Sequence, residues 1–143
     1  FRSKKWVRRG PTEKIKIKSQ EQFLMSAITR RFYIYRKTAE KRNRDFSIDI
    51  DYFSKIVSGN CHYCGTIPSM IVKPFNKHYK DVLLSGLDRV DSKIGYVEGN
   101  IVSCCTTCNY MKRTQSKEDF LLKIRLIYEN LLQNTTEKVE VRD

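Results

Sequence analysis

The chain has 143 residues and a formal net charge of +12, with 40% hydrophobic residues. That length fits one domain with a modest core, and no run approaches the roughly 18 uncharged apolar residues a membrane-spanning helix needs. The charge is uneven: residues 1–45 hold fifteen Lys and Arg against four Asp and Glu, and the rest hold thirteen against twelve. Such an arm suits a polyanionic partner, most naturally nucleic acid, and fits poorly with a zinc adaptor that joins proteins.

Residues 1–18 form a basic arm with no buried-face pattern, in which the alternation KIKIK over Lys14–Lys18 predicts a short strand. Read alone, this arm is equally a solvated tail. From Ser19 the spacing of Phe23, Leu24, Ile28, Phe32, Ile34 and Tyr35 predicts a helix, with Arg30, Arg31, Arg36 and Lys37 on its other side. Asp49 is placed to cap a second, short helix with Tyr52, Phe53 and Ile56 on its apolar face, and Gly59-Asn60 to end it. Val82–Leu87 and Asn100–Cys104 read as two strands joined by a loop over 91–99, and Cys105–Lys112 as a short helix. Ser116 with Asp119 forms a capping box for a last helix to about Leu132, whose apolar face is Phe120, Leu121, Ile124 and Ile127; the tail 134–143 is polar. The expected organisation is α+β: a helical part (19–58), a central core (59–115) and a C-terminal packing helix (116–133).

Five cysteines are present, four of them in two knuckles, Cys61-x-x-Cys64 and Cys105-x-x-Cys108. This spacing lets both thiolates of each pair reach one tetrahedral ion, so a shared structural Zn²⁺ is expected. Disulfides fit an odd count poorly, and a redox pair would come singly beside a βαβ pattern. The expected setting is a reducing intracellular compartment. Four sulfurs fill the zinc's coordination sphere, so that ion would hold the fold and take no part in catalysis. Cys104 is left to pack as a small hydrophobe.

Asp88 and Asn109 offer two hard oxygens that suit Mg²⁺ or Mn²⁺, and Asn100 suits a side-chain brace for the 91–99 loop. Each also has a plainer role: Asp88 pairing with Arg89, Asn109 capping the short helix. Around the thiols, "CHYCG", "GLDRVDSKIGYVEGN" and "SCCTTCNYMK" resemble an HNH nuclease domain, the ββα-metal fold of the zinc-stabilised kind found in phages and mobile elements. The resemblance covers about 60 residues closely, from Cys61 to about Phe120. It implies a zinc-pinned ββα-metal core and phosphodiester hydrolysis in double-stranded DNA, with a homing or phage-encoded type of enzyme as its source. It makes Asp88 and Asn109 the ligands of a catalytic Mg²⁺ or Mn²⁺, and Asn100 the middle Asn of the family name.

The family's usual His after the Asp, a general base, is replaced here by Arg89. A guanidinium cannot accept a proton, but it can clamp a phosphate and neutralise charge in the transition state. The base is therefore sought in Tyr63, which replaces the His in the Asp-Arg branch of the superfamily, or in His78. His62 reads as structural or surface. Lys4, Lys5, Arg8, Arg9, Arg30, Arg31, Lys112 and Arg113 are the expected nucleic-acid contacts. The alternative is a nuclease-derived zinc module that binds DNA or RNA without cutting. The oligomeric state is open, with a dimer compatible.

Overall fold

The computed structural model describes residues 13–74 and 79–140 of the chain, with side chains over 19–74 and 79–133. The expectations for Lys4, Lys5, Arg8, Arg9 and His78 lie outside the described residues. A 29-residue helix, α1 (Glu13–Lys41), opens the fold. The Lys14–Lys18 segment expected as a strand is helical, within the first turns of α1. The buried positions Ile28, Phe32 and Ala39, with partly buried Tyr35, stand at intervals of four, three and four residues and make one stripe. Leu24 and Ile34, expected on that stripe, are exposed.

Helix α1 ends where Asn43 takes a positive φ of 50° and the chain reverses. Asp49 then caps α2 (Ile50–Ser58), its Oδ1 accepting the Tyr52 N–H at 2.7 Å, and Gly59 closes it by donating its N–H to the Ile56 carbonyl. Phe53 and Val57, one turn apart, are both 0% exposed. Around them Phe32, Tyr35, Phe46 and Tyr96 meet edge to face or tilted, with centroids 5.3–5.8 Å apart. This aromatic cluster is the centre of the core.

Four short strands follow: β1 (Met70–Val72), β2 (Val82–Leu84), β3 (Gly86–Arg89) and β4 (Ile101–Cys104). They make two separate antiparallel pairs, β1 with β2 and β3 with β4. The single strand expected over Val82–Leu87 is therefore two. Ser85 divides it, because its N–H and hydroxyl both turn to α2, donating to the carbonyls of Val57 and Gly59 at 2.7 Å each. In the second pair Asp88 faces Val102 and Arg89 faces Ile101. The 91–99 loop joins β3 to β4 and returns to the core through a parallel bridge between Phe46 and Tyr96. Gly95 makes that approach possible: a Cβ there would lie 2.3 Å from the Asp45 carbonyl oxygen.

Helix α3 (Thr106–Lys112) packs on β3, and α4 (Lys117–Glu140) follows. Of the expected capping box the serine half is present: Ser116 Oγ accepts the Asp119 N–H at 3.0 Å, and it donates to Asp119 Oδ2 at 2.7 Å. The helix runs past Leu132 to Glu140, and packing is where it departs from expectation. Phe120 is buried, but Leu121, Ile124 and Ile127 are exposed, so α4 is anchored at its first turn and then leaves the body of the fold. No helix among the described residues is long and apolar enough to cross a membrane. The architecture is α+β, mixed helices and two small sheets.

Truncating the most enclosed ring should cost most. Phe53→Ala is expected to lower the unfolding free energy by about 3–5 kcal/mol, read from urea unfolding followed by circular dichroism.

Candidate functional site

The first knuckle is a tight turn after α2. Gly65, at φ +72°, donates its N–H to the Cys61 carbonyl, and the Cys61 N–H donates to the Thr66 carbonyl at 2.8 Å. The knuckle is fastened to β4, because the His62 N–H donates to the Ser103 carbonyl at 2.9 Å and Ser103 Oγ donates to the Asn60 carbonyl. The second knuckle is the start of α3. Cys105 is its N-cap, and the Cys108 N–H donates to Cys105 Sγ at 3.3 Å.

These turns bring Cys61, Cys64, Cys105 and Cys108 together, with all four sulfurs within 4.8 Å of one another. Tetrahedral zinc–thiolate bonds of about 2.3 Å put neighbouring sulfurs about 3.8 Å apart, and Cys64 and Cys105 stand at 3.7 Å. The cluster could hold a metal ion such as zinc. The four thiols are shifted in opposite directions. Burial raises the Cys61 thiol, but backbone N–H groups of Cys105, Cys64 and Tyr63 outweigh it and bring the pKa to about 6. The Thr66 hydroxyl, 3.1 Å from Cys64, lowers that thiol as well. Cys105 and Cys108 are raised by burial, a cost that a bound dication would reverse. Cys104 is 0% exposed and burial pushes its thiol up, which fits a packed apolar side chain.

Beside the thiols lies a cleft of about 470 Å³ between β3, α3 and the end of α1. Asp88, Arg89, Asn109 and Arg113 all line it, as the sequence led one to expect, and Arg42 and Arg44 join them. Asn109 is tied to β3, its Nδ2 donating to the Leu87 carbonyl at 3.3 Å, which leaves its amide oxygen as the free acceptor. Arg89 donates to the carbonyls of Ser92 and Ile94 and lies 5.5 Å from the Tyr96 ring centroid. Burial, then the nearby Arg44 guanidinium, pull its pKa below the usual arginine value. Arg113 stands over the exposed Tyr110 ring at 5.5 Å.

Asn100 braces the 91–99 loop as expected. Its Nδ2 donates to the carbonyls of Asp91 and Gly95 at 3.1 and 2.9 Å, and its Oδ1 accepts the Asp91 N–H at 2.9 Å. Three loop groups are satisfied by one buried amide.

Two expectations are corrected. Lys112 is not a surface contact for nucleic acid: it is 0% exposed, its Nζ 3.1 Å from Asp88 Oδ2 and donating to the Arg89 carbonyl at 2.9 Å. Cys108, Asn109 and Lys112 share the face of α3 turned to the hairpin, so helical spacing rather than charge was the signal for its place. Tyr63 does not have the standing of a general base. Its hydroxyl donates to Asp88 Oδ2 at 2.7 Å, and burial, with the Asp88 charge, pushes its pKa far up. In this hydrogen bond the phenol is the donor, which orients the carboxylate. The Tyr63 ring also meets Phe120 edge to face at 5.3 Å, which seats α4. His62 is exposed, with Nε2 3.2 Å from Lys117 Nζ, as a surface residue. Arg30 and Arg31 line a different cleft. Arg42 and Arg44 were missed because the basic stretch Lys41–Arg44 carries no mark of which side chains face inward.

Removing one partner of a buried ion pair leaves the other uncompensated. Lys112→Ala is expected to destabilise the protein by about 3–5 kcal/mol and Arg113→Ala, exposed, by less than about 0.5 kcal/mol, both measured by chemical unfolding.

No family model matches the chain, and no solved structure matches it. An uncharacterised protein of Acanthamoeba polyphaga mimivirus is 31% identical over 88 residues, which is 62% of this chain and 14% of that protein. An uncharacterised 29.0 kDa protein from the dda-modA intergenic region of Enterobacteria phage T4 is 26% identical over 113 residues, 78% of this chain and 42% of that protein. The chain thus spans less than half the length of either relative.

Proposed function

We propose that this chain is a metal-dependent DNA endonuclease of the HNH, or ββα-metal, kind, with β3, β4 and α3 as its core and a structural Zn²⁺ on Cys61, Cys64, Cys105 and Cys108. The observation that carries the reading is the convergence of Asp88 and Asn109, from a strand and a helix, on one cleft lined by Arg42, Arg44, Arg89 and Arg113. A packing role needs no such ring of cations around a carboxylate and an amide. The substrate in this reading is double-stranded DNA.

Asp88 and Asn109 would hold Mg²⁺ or Mn²⁺, since a carboxylate and an amide oxygen are the donors such an ion takes. When bound, that ion would supply Lewis-acid stabilisation of the scissile phosphate and the leaving oxygen. The chain's own residues do the rest. Lys112 and Tyr63, both on Asp88 Oδ2, fix the plane of the carboxylate. Arg89, held by the Ser92 and Ile94 carbonyls, presents a positioned cation for charge that develops on the phosphoryl oxygens. Arg42, Arg44 and Arg113 draw the strand into the cleft. With Tyr63 acting as a positioning residue, His78 is the candidate for the base that activates water.

One observation favours a second reading, a zinc module that binds nucleic acid without cutting. The Lys112 ammonium, 3.1 Å from Asp88 Oδ2, already supplies the carboxylate with a positive partner. Plasmid nicking separates the two. Supercoiled DNA is expected to be nicked in Mg²⁺ or Mn²⁺ and left intact without added divalent metal, with His78→Ala slowed by on the order of 10² or more. Asp88→Asn, isosteric and so gentler on folding than alanine, is expected to abolish nicking while retaining DNA affinity. Wild-type protein that binds DNA but never nicks it overturns the nuclease reading.

The zinc assignment has its own check. Metal analysis of purified protein is expected to find about one zinc per chain, kept in Cys104→Ala and lost, together with folding, in Cys105→Ser.

A further inference from the structure

A second cleft, of about 510 Å³, lies between α1 and the β1–β2 pair. Arg30, Arg31 and Lys73 line it, together with Ile34, Ile71 and Tyr79, the Tyr79 ring lying stacked on Phe23 at 6.0 Å. None of the three cations belongs to an ion pair among the described residues. Arg31 Nε is buried and has no hydrogen-bond partner among the described residues. A buried donor without an acceptor is rare and costly in a folded protein, so the missing acceptor is one that a ligand would bring. Three like charges around one cavity also repel, and an anion between them removes that repulsion. The ligand must be anionic and yet carry apolar surface for Ile34, Ile71 and the Tyr79 ring. A nucleic-acid strand, with a phosphate and a flat base in each unit, has both.

The two clefts share their walls. Met70 of β1 faces the Asp88 cleft, while Ile71 and Val72 face the second. Tyr35 of α1 and Arg42, the residue just after it, belong to the first, and Arg30, Arg31 and Ile34 to the second. From Arg31 to Lys41, the end of α1 and the neighbour of Arg42, is ten residues of helix, about 15 Å at about 1.5 Å per residue. A stacked strand advances about 3.4 Å per nucleotide, so the separation corresponds to about five nucleotides.

We infer that the cleft between α1 and β1–β2 is a second nucleic-acid subsite, which takes a phosphodiester of the bound strand about five nucleotides from the Asp88 cleft. The inference rests on the proposed function only for what happens at the other end of that strand. Its test is binding by the full chain without added divalent cation, so a protein that never nicks DNA is still judged by it, and its failure leaves the nicking result untouched.

The probes are a fluorescein-labelled 30-base-pair duplex and oligothymidylates of four to twelve nucleotides, read by anisotropy across a salt series. Arg30→Gln with Lys73→Gln removes two exposed cations. Two lost contacts should lower the logarithmic salt slope for the duplex by about 1.8, at about 0.9 per phosphate. The affinity should fall on the order of tenfold or more at about 0.1 M salt. Wild-type affinity for oligothymidylates should step up between about four and eight nucleotides, and the double variant should lack the step. Arg31→Lys, which keeps the charge and deletes the buried Nε, should weaken binding as well, and it carries the test if the double variant melts early. An unchanged salt slope, an unchanged step, or equal competition by polyglutamate would overturn the subsite.

Discussion

Everything around the cleft depends on how α3 is held against the β3–β4 pair, and the Lys112–Asp88 contact is what holds it. The ammonium is fully enclosed and the carboxylate nearly so. Burying both charges carries a desolvation cost that only close geometry offsets. Here the geometry is close: the carboxylate oxygen receives Tyr63 as well, and the ammonium also reaches the Arg89 carbonyl. Three elements, the first knuckle, β3 and α3, are thereby joined at one atom, Asp88 Oδ2. Moving any of them strands a charge or a hydroxyl in an apolar setting. The thiol cluster makes the same connection a second time, between the first knuckle and the start of α3. One junction is ionic and depends on burial, and the other depends on a cation. The cleft with Asp88 and Asn109 lies beside both.

The charged side chains divide by burial into two populations with different work. Lys112 is spent on architecture, while Arg42 and Arg44, Arg89 and Arg113 face the cleft from three different segments, and Asp88 serves both. Net charge alone cannot make that division. Excess charge of +12 on a chain this size favours any polyanion. What gives direction is that the inward-facing cations surround a carboxylate, whereas those of the second cleft surround apolar and aromatic surface. A chain could carry the same composition and have neither arrangement.

Much of this was legible in the sequence wherever the cause was local. Asp49 and Ser116 announced their helices because capping is a matter of four consecutive residues. The two knuckles announced the thiol cluster because their spacing fits one ion. Asn100 announced a loop brace and proved to be one. Where the cause lay far along the chain, the sequence was silent. The break at Ser85 comes from carbonyls 26 and 28 residues earlier, at Gly59 and Val57. β1 is too short to show alternation. Leu24 and Ile34 look like core residues by spacing, yet face outward, since the stripe of α1 that meets α2 is narrower than its apolar content. Lys112 was misplaced because it sits in a basic run, and nothing adjacent marks it as the partner of a carboxylate 24 residues away. Tyr63 was read as a base: its proximity to Asp88 was readable, but the direction of the hydrogen bond was not.

Gly95 has a consequence that reaches past this one chain. Its α-carbon lies against the backbone of Asp45, whose carbonyl also accepts the Tyr96 N–H at 2.8 Å, and its own carbonyl is held by Asn100. Neither side can withdraw, so position 95 is closed to every amino acid with a side chain while that bridge stands. A lineage diverging from this sequence cannot vary residue 95 by itself. It must first re-route the segment after α1, so the stretches around 45 and 95 are bound to change together, and a descendant with a larger residue there has abandoned this way of closing the loop.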